Sequence, residues 1–184
     1  MEKRPKIISV SNQKGGVGKT TTTINLATAM VSFNKKILIV DLDPQGNAST
    51  GLGIDLKERD KNIYKVMTSQ TEVNDCVFDT IIPNLKIIPS TIDLSAVEIE
   101  FSNIPKRELV LKKSFENLTI DFDYVLIDCP PSLGLLTVNA MAASDEVIVP
   151  LQCEFYALEG LSQLLKTMEL IKGNLNTKLS LKGI

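Results

Sequence analysis

Gln13-Lys14-Gly15-Gly16-Val17-Gly18-Lys19-Thr20-Thr21 lies between an apolar run, Ile7-Ile8-Ser9-Val10, and a helical pattern that opens near Thr20. A glycine-rich turn between strand and helix, ending in Lys-Thr, is what a phosphate group needs. The glycines let the backbone curl so that successive N–H groups point inward. The helix N-terminus adds the positive end of its dipole, Lys19 a full charge, and the Thr20 hydroxyl a ligand for Mg²⁺. Lys14, Gly15, Gly16, Val17, Gly18, Lys19, Thr20 and Thr21 are therefore the candidate nucleotide-binding residues.

The loop departs from the ordinary pattern G-x-x-x-x-G-K-[ST]. Its first glycine would fall at position 13, where Gln13 stands, and a second lysine, Lys14, sits inside the loop. One phosphate cradle needs one lysine. Lys14 is either a surface lysine or a residue with a separate task.

Outward from the loop, the chain reads as α/β. Lys36 to Pro44 is a second strand ending in acids, so strand, turn, helix and strand form a right-handed βαβ unit with parallel strands. Residues 45–53 read as a loop with a short helix, and 62–68 and 72–78 as short helices. Residues 85–89 form a strand, 91–101 and 104–118 helices, and 124–131 a strand with an acid at its carboxyl end. A helix over 135–143, a strand over 146–151 and an amphipathic helix over 157–172 follow. The apolar face of that last helix is Leu158, Leu161, Leu164, Leu165, Met168 and Ile171. The predicted fold is a doubly wound, mostly parallel sheet with helices on both faces, in one domain over 1–184. A further strand opens at Leu179 with no helix after it. The chain is accordingly read as lacking a C-terminal part.

Ligands of such sheets bind at the carboxyl ends of the strands. There the second strand presents Asp41 and Asp43 and a later one Asp128. A phosphate loop with separate acids for a metal is the layout of a nucleoside-triphosphate hydrolase using ATP and Mg²⁺. Thr20 would ligate the metal directly and Asp128 through water. Asp43 is placed to orient or deprotonate the attacking water and to join the metal shell. Asp41, one residue earlier, faces the other way; it either helps the metal shell or caps the loop. Lys19 and Asp43 are the candidate catalytic residues.

Composition narrows the alternatives. The chain of 184 residues has no histidine, which excludes Ser-His-Asp hydrolysis, histidine acid–base catalysis and histidine metal sites. Hydrophobic residues make up 43% but aromatics only 5%, so Ile, Leu and Val must build the core. A net charge of −2 gives no global electrostatic argument for nucleic-acid binding. Cys76, Cys129 and Cys153 are far apart and form no C-x-x-C, so they read as buried free thiols in a reducing compartment. Met1 to Lys6 is no signal peptide, and no run of apolar residues is long enough to span a membrane. These features point to a soluble cytoplasmic protein.

Three motifs together resemble the ParA/Soj family of chromosome- and plasmid-partitioning ATPases, which has the deviant Walker A loop of the MinD/ParA superfamily. They are Lys14 to Thr22, Asp41-Leu42-Asp43-Pro44-Gln45-Gly46-Asn47, and Asp128-Cys129-Pro130-Pro131-Ser132-Leu133-Gly134. The stretch Val149 to Gly160 is similar as well. The loop alone is shared with MinD, the nitrogenase iron protein and the Mrp scaffolds; Asp-Pro-Gln-Gly-Asn with Pro-Pro-Ser-Leu-Gly favours ParA. The resemblance runs from about Lys6 to Ile184.

It implies a SIMIBI-type P-loop fold and a homodimer in the ATP state. In that dimer Lys14 reaches the phosphates of the partner copy, which adds it to the candidate catalytic residues, and Gly15 stays small because the partner's loop comes close. It also implies non-specific DNA binding, a nucleoid-associated location and stimulation by a ParB-like centromere-binding partner. Part of the base pocket, and some basic DNA-binding residues, would lie in the C-terminal part that relatives continue into. Lys106, Arg107, Lys112 and Lys113 are a solvated helix face or a DNA contact. Cys129 belongs to no cluster-ligand pattern. The alternative reading is a MinD-like membrane-associated positioning ATPase, although no membrane partner is expected.

Overall fold

A computed structural model describes residues 4–154 and 157–184. Among them, seven strands form one sheet: β1 (Lys6–Val10), β2 (Ile37–Asp41), β3 (Phe78–Asp79), β4 (Leu85–Ile88), β5 (Tyr124–Asp128), β6 (Glu146–Ile148) and β7 (Ser180–Gly183). Their order is β3-β4-β2-β5-β1-β6-β7, all parallel except β3, which runs antiparallel to β4. The first two strands are parallel as expected, but β5 stands between them. The register sets Asp128 opposite Val10 on one side and Asp41 on the other. The ends of β1, β2 and β5 thus lie at one level.

The apolar runs explain the layering. Every residue of β2 is buried, as a strand covered on both faces requires. Ile37 and Ile39 pack toward α1 (Lys19–Ser32) and α2 (Asn47–Gly51), with Ala27 and Ala48. Leu38 and Val40 point the opposite way, toward α3 (Ile63–Met67), α4 (Val97–Glu100), α5 (Val110–Glu116) and α6 (Leu135–Ala143). A third cluster seats α7 (Ala157–Asn174) through Leu164, Met168 and Ile171 on Met141, Val147 and Val149. Burying each such side chain contributes roughly 1.5–3 kcal/mol.

Several elements differ from the sequence expectation. Residues 91–101 alternate between 3₁₀ turns (Ile92–Ala96, Phe101–Asn103) and the single α turn of α4. Their buried residues, Leu94, Val97 and Phe101, suit either winding. The helix expected over 104–118 begins late. Ile104 is extended before Pro105, Lys106 adopts φ 57°, and a 3₁₀ turn at Arg107–Leu109 precedes α5. Residues 72–78 give a 3₁₀ turn, Val73–Cys76, and then strand β3.

Strand β6 is shorter than 146–151, since Pro150 has no N–H to continue the ladder. Leu158 is exposed and so is not part of the buried face of α7. Cys76 and Cys129 are buried free thiols, but Cys153 is exposed. Phe155 and Tyr156, and Met1 to Lys3, lie outside the described residues.

Candidate nucleotide site

The loop after β1 forms from residues whose backbone demands are unequal. Gly16 and Gly18 take φ of 74° and 89°, which side-chain-bearing residues rarely adopt. Gly15 does not, and a Cβ there would only touch Pro131 at an ordinary 3.9 Å. Helix α1 starts at Lys19 with no side-chain cap. Its first N–H groups therefore face the loop without a capping acceptor.

Lys19 is 7% exposed, and its ammonium donates to the Lys14 carbonyl at 3.0 Å. Burial lowers its pKa, against the opposing pull of Asp128, Asp43 and Cys129. Lys14 behaves differently. Its backbone N–H donates to Asn12 Oδ1 at 3.0 Å, while its side chain lies at the rim and pairs with Glu154. The segment after β6 braces the loop twice more: Asn12 Nδ2 donates to Pro150 O at 2.7 Å, and Gln152 Nε2 to Gly16 O at 3.3 Å.

Beneath the loop, Asp128 is fully buried at the end of β5. Desolvation pushes its pKa up to about 7, while the Thr20 and Thr23 hydroxyls pull it down and Asp41 and Asp43 add to the rise. The Thr23 hydroxyl lies 3.3 Å from Asp128 Oδ1, and Asp128 Oδ2 has no hydrogen-bond partner. An orphaned buried carboxylate oxygen beside the Thr20 hydroxyl is a set of hard donors suited to Mg²⁺. Among the described residues, no three acids or thiols converge to hold a metal unaided. A cation here would draw its remaining ligands from phosphate oxygens and water. The Cys129 thiol is buried and its pKa is raised by desolvation, which keeps it a protonated, inert neighbour.

Asp41 and Asp43 divide as their alternation requires. Asp41 is fully buried and accepts from Ser49 N at 2.8 Å and Ser49 Oγ at 2.6 Å, so it caps the loop that follows it. Asp43 is 8% exposed; its Oδ1 accepts from Gln45 N at 3.0 Å. Its carboxylate stands at the same sheet edge as Lys19, and the two interact electrostatically.

The fold thus brings together Lys14 to Thr21, Asp43 and Asp128. Sequence reading had passed over Asn12, Thr23, Gln152 and Glu98. Thr23 follows Lys19 by one helical turn, a legible spacing. Glu98 was visible only as a helix residue. In the fold its Oε1 accepts from Leu135 N at 3.0 Å, at the start of α6, and occupies the space a Cβ on Gly134 would need. The basic residues at 106–113 split between a turn and α5 and form no single face.

A parallel sheet with a glycine-rich loop at β1, a buried loop lysine and acids on the flanking strands defines a P-loop nucleoside-triphosphatase fold. A family model described as an AAA domain matches residues 5–181. The sporulation initiation inhibitor protein Soj of Bacillus subtilis is 50% identical over 179 residues, covering 97% of this chain and 71% of the relative. The chromosome partitioning protein ParA of Caulobacter vibrioides is 49% identical over 181 residues, covering 97% and 68%. A crystal structure of cobyrinic acid a,c-diamide synthase from Mycobacterium smegmatis, with bound ADP and magnesium, superposes with a TM-score of 0.92 at 38% identity. It covers 96% of this chain and 72% of that one. The chain belongs to the ParA/Soj family of partitioning P-loop NTPases. No described helix is long and apolar enough to cross a membrane.

Proposed function

We propose that the chain is a Mg²⁺-dependent ATPase that pairs with a second copy when ATP is bound and then associates with DNA without sequence preference. A ParB-like partner stimulates hydrolysis, and the protein works in the cytoplasm on the nucleoid. The observation that carries this reading is the register of β1, β2 and β5. It brings the end of β1, from which the phosphate loop springs, level with Asp41, two residues before Asp43, and with Asp128, one oxygen of which is unpartnered.

Lys19 and the loop N–H groups hold the β- and γ-phosphates, and Thr20 and Asp128 would hold Mg²⁺. The cation would neutralise negative charge on the phosphates. Asp43 orients a water for in-line attack and takes its proton as the bond to ADP breaks, giving ADP and phosphate. Lys14 supplies a cation to the partner copy's developing charge. Two features support that role. The Lys14 side chain sits at the rim rather than inside the cradle. Among the described residues a Cβ at position 15 would meet only Pro131 at an ordinary 3.9 Å, so the need for glycine there fits a second molecule's approach.

The test is co-sedimentation with DNA and with anionic liposomes, each with ATP, ADP or no nucleotide, alongside phosphate release. ATP-dependent DNA binding with Mg²⁺-dependent release is the expected result. ATP-dependent liposome binding without DNA binding would favour the membrane-associated alternative, and no phosphate release would overturn the ATPase assignment.

A further inference from the structure

Arg59 has a part that neither the phosphate loop nor the acids account for. It follows a 3₁₀ turn (Leu56–Glu58), well outside every motif described above, yet it is only 5% exposed. All of its guanidinium nitrogens are engaged. Nε donates to Ile54 O at 3.1 Å, and Nη2 to Ile54 O at 2.7 Å and Thr50 Oγ1 at 2.8 Å. Nη1 donates to Ser90 O at 3.2 Å and Gly46 O at 3.4 Å. Every acceptor is neutral, and among the described residues Arg59 forms no salt bridge. A buried cation with no counter-charge is a poor device for stability alone. Its fork gathers carbonyls from three separate places, which a lysine with its compact head cannot reproduce.

One of those places, Gly46, is bonded directly to Asp43. Gly46 N donates to Asp43 O at 2.9 Å, closing the turn that carries the acid, and Gly46 takes φ 64°. Arg59 packs so closely against Gly46 that no Cβ would fit there. On the opposite side Asp41 grips the same segment through Ser49. Ser49 Oγ in turn accepts from Ser90 N at 3.0 Å, while Arg59 donates to Ser90 O. Ser90, just past β4, is thereby tied to Ser49 of α2 through its N–H and, through Arg59, to Gly46 of the Asp43 turn.

We infer that Arg59 is a positioning residue for the proposed hydrolysis: it clamps the Asp43 turn to the end of β4 and so fixes where the Asp43 carboxylate stands. This rests on the ATPase reading. The clamp itself is a physical coupling that exists with or without turnover.

The test uses Arg59→Met and Arg59→Lys in the whole chain, with two readouts below the melting temperature of each variant. The first is hydrogen exchange without nucleotide. Amides of residues 43, 45–52, 90 and 91 should exchange faster in Arg59→Met, with those of α1, β1 and β5 unchanged. Unchanged exchange at 43–52, or a uniform rise across the chain, overturns the clamp. The second is steady-state ATP hydrolysis. kcat should fall about tenfold or more, since small misplacements of a reacting group carry costs of that order. KM should stay within about twofold, and Arg59→Lys should recover only part of the loss. Wild-type kcat in Arg59→Met, or kcat and nucleotide affinity falling together, overturns the positioning role. A wild-type chain that releases no phosphate refutes the ATPase reading, and the exchange experiment still decides the clamp.

Discussion

The Lys19 ammonium donates to the backbone carbonyl of Lys14 across 3.0 Å. The two lysines of the loop are therefore joined while their charges are kept apart. One cation is spent inside the curl of the backbone; the other stands outside it against Glu154. Substitutions at the two positions should accordingly fail in different ways.

Lys19→Ala removes the charge that faces the cradle. ATP affinity, read by calorimetry, should drop about 10- to 100-fold, the range expected for losing a charge-assisted hydrogen bond. Unchanged affinity would show that the loop does not bind phosphate.

Lys14→Ala leaves the cradle intact. ATP binding should persist, while turnover falls about 1,000-fold if the lysine acts across a dimer as an arginine finger does. Mixing this variant with an Asp43 variant separates cis from trans action. Recovered turnover in the mixture supports a crossing lysine, and wild-type turnover in Lys14→Ala alone rejects it.

Asp43→Ala should slow hydrolysis by about 100-fold or more, and with ATP and Mg²⁺ the chain should elute from gel filtration as a dimer. A monomer under those conditions would contradict the role of Asp43 as the residue that ends the ATP state.

Glu146 offers a pH test away from the site. Its carboxylate accepts from Lys6 at 2.8 Å and pairs with Lys182 at 3.5 Å, linking β1, β6 and β7. The Lys6 hydrogen bond, ahead of the charges of Lys6 and Lys182 and against some desolvation, holds its pKa below the ordinary 4.5. A carboxyl depressed in the folded state stabilises above its unfolded pKa and loses that contribution as pH falls through its folded pKa. Glu146→Gln should therefore melt a few degrees lower than wild type at pH 7. The gap should close as the pH falls below 4.5. A constant gap would mean that shape rather than charge matters.

The fold class and the candidate site were legible in the sequence where strand order was not, for a physical reason. Ile7 to Val10, Ile37 to Asp41 and Tyr124 to Asp128 are continuous apolar runs. Each ends at candidate site residues, so loop and acids were legible from local pattern alone. Strand order was not, because nothing local says that β5 enters between β1 and β2. The 91–118 region misled because Leu94, Val97 and Phe101 satisfy 3₁₀ and α spacing alike, and Pro105 bends the chain where one helix was expected. Arg59 was invisible: a lone arginine in a polar stretch reads as surface until the carbonyls of Gly46, Ile54 and Ser90 close on it. The two readings left open for Asp41 were decided only by Ser49, which local pattern could not place against it.

The position of β5 also bears on biogenesis. During synthesis β1 and β2 emerge early and cannot pair with each other, because the slot between them belongs to a strand not made until residues 124–128. Until then the facing edges of β1 and β2 stand open, a state prone to mispairing and slow to resolve because the missing contact is so distant along the chain. When β5 enters, it closes both edges and carries Asp128 to Val10 and Asp41 in the same movement. The loop and Asp128 therefore become neighbours only after residues 124–128 have been made.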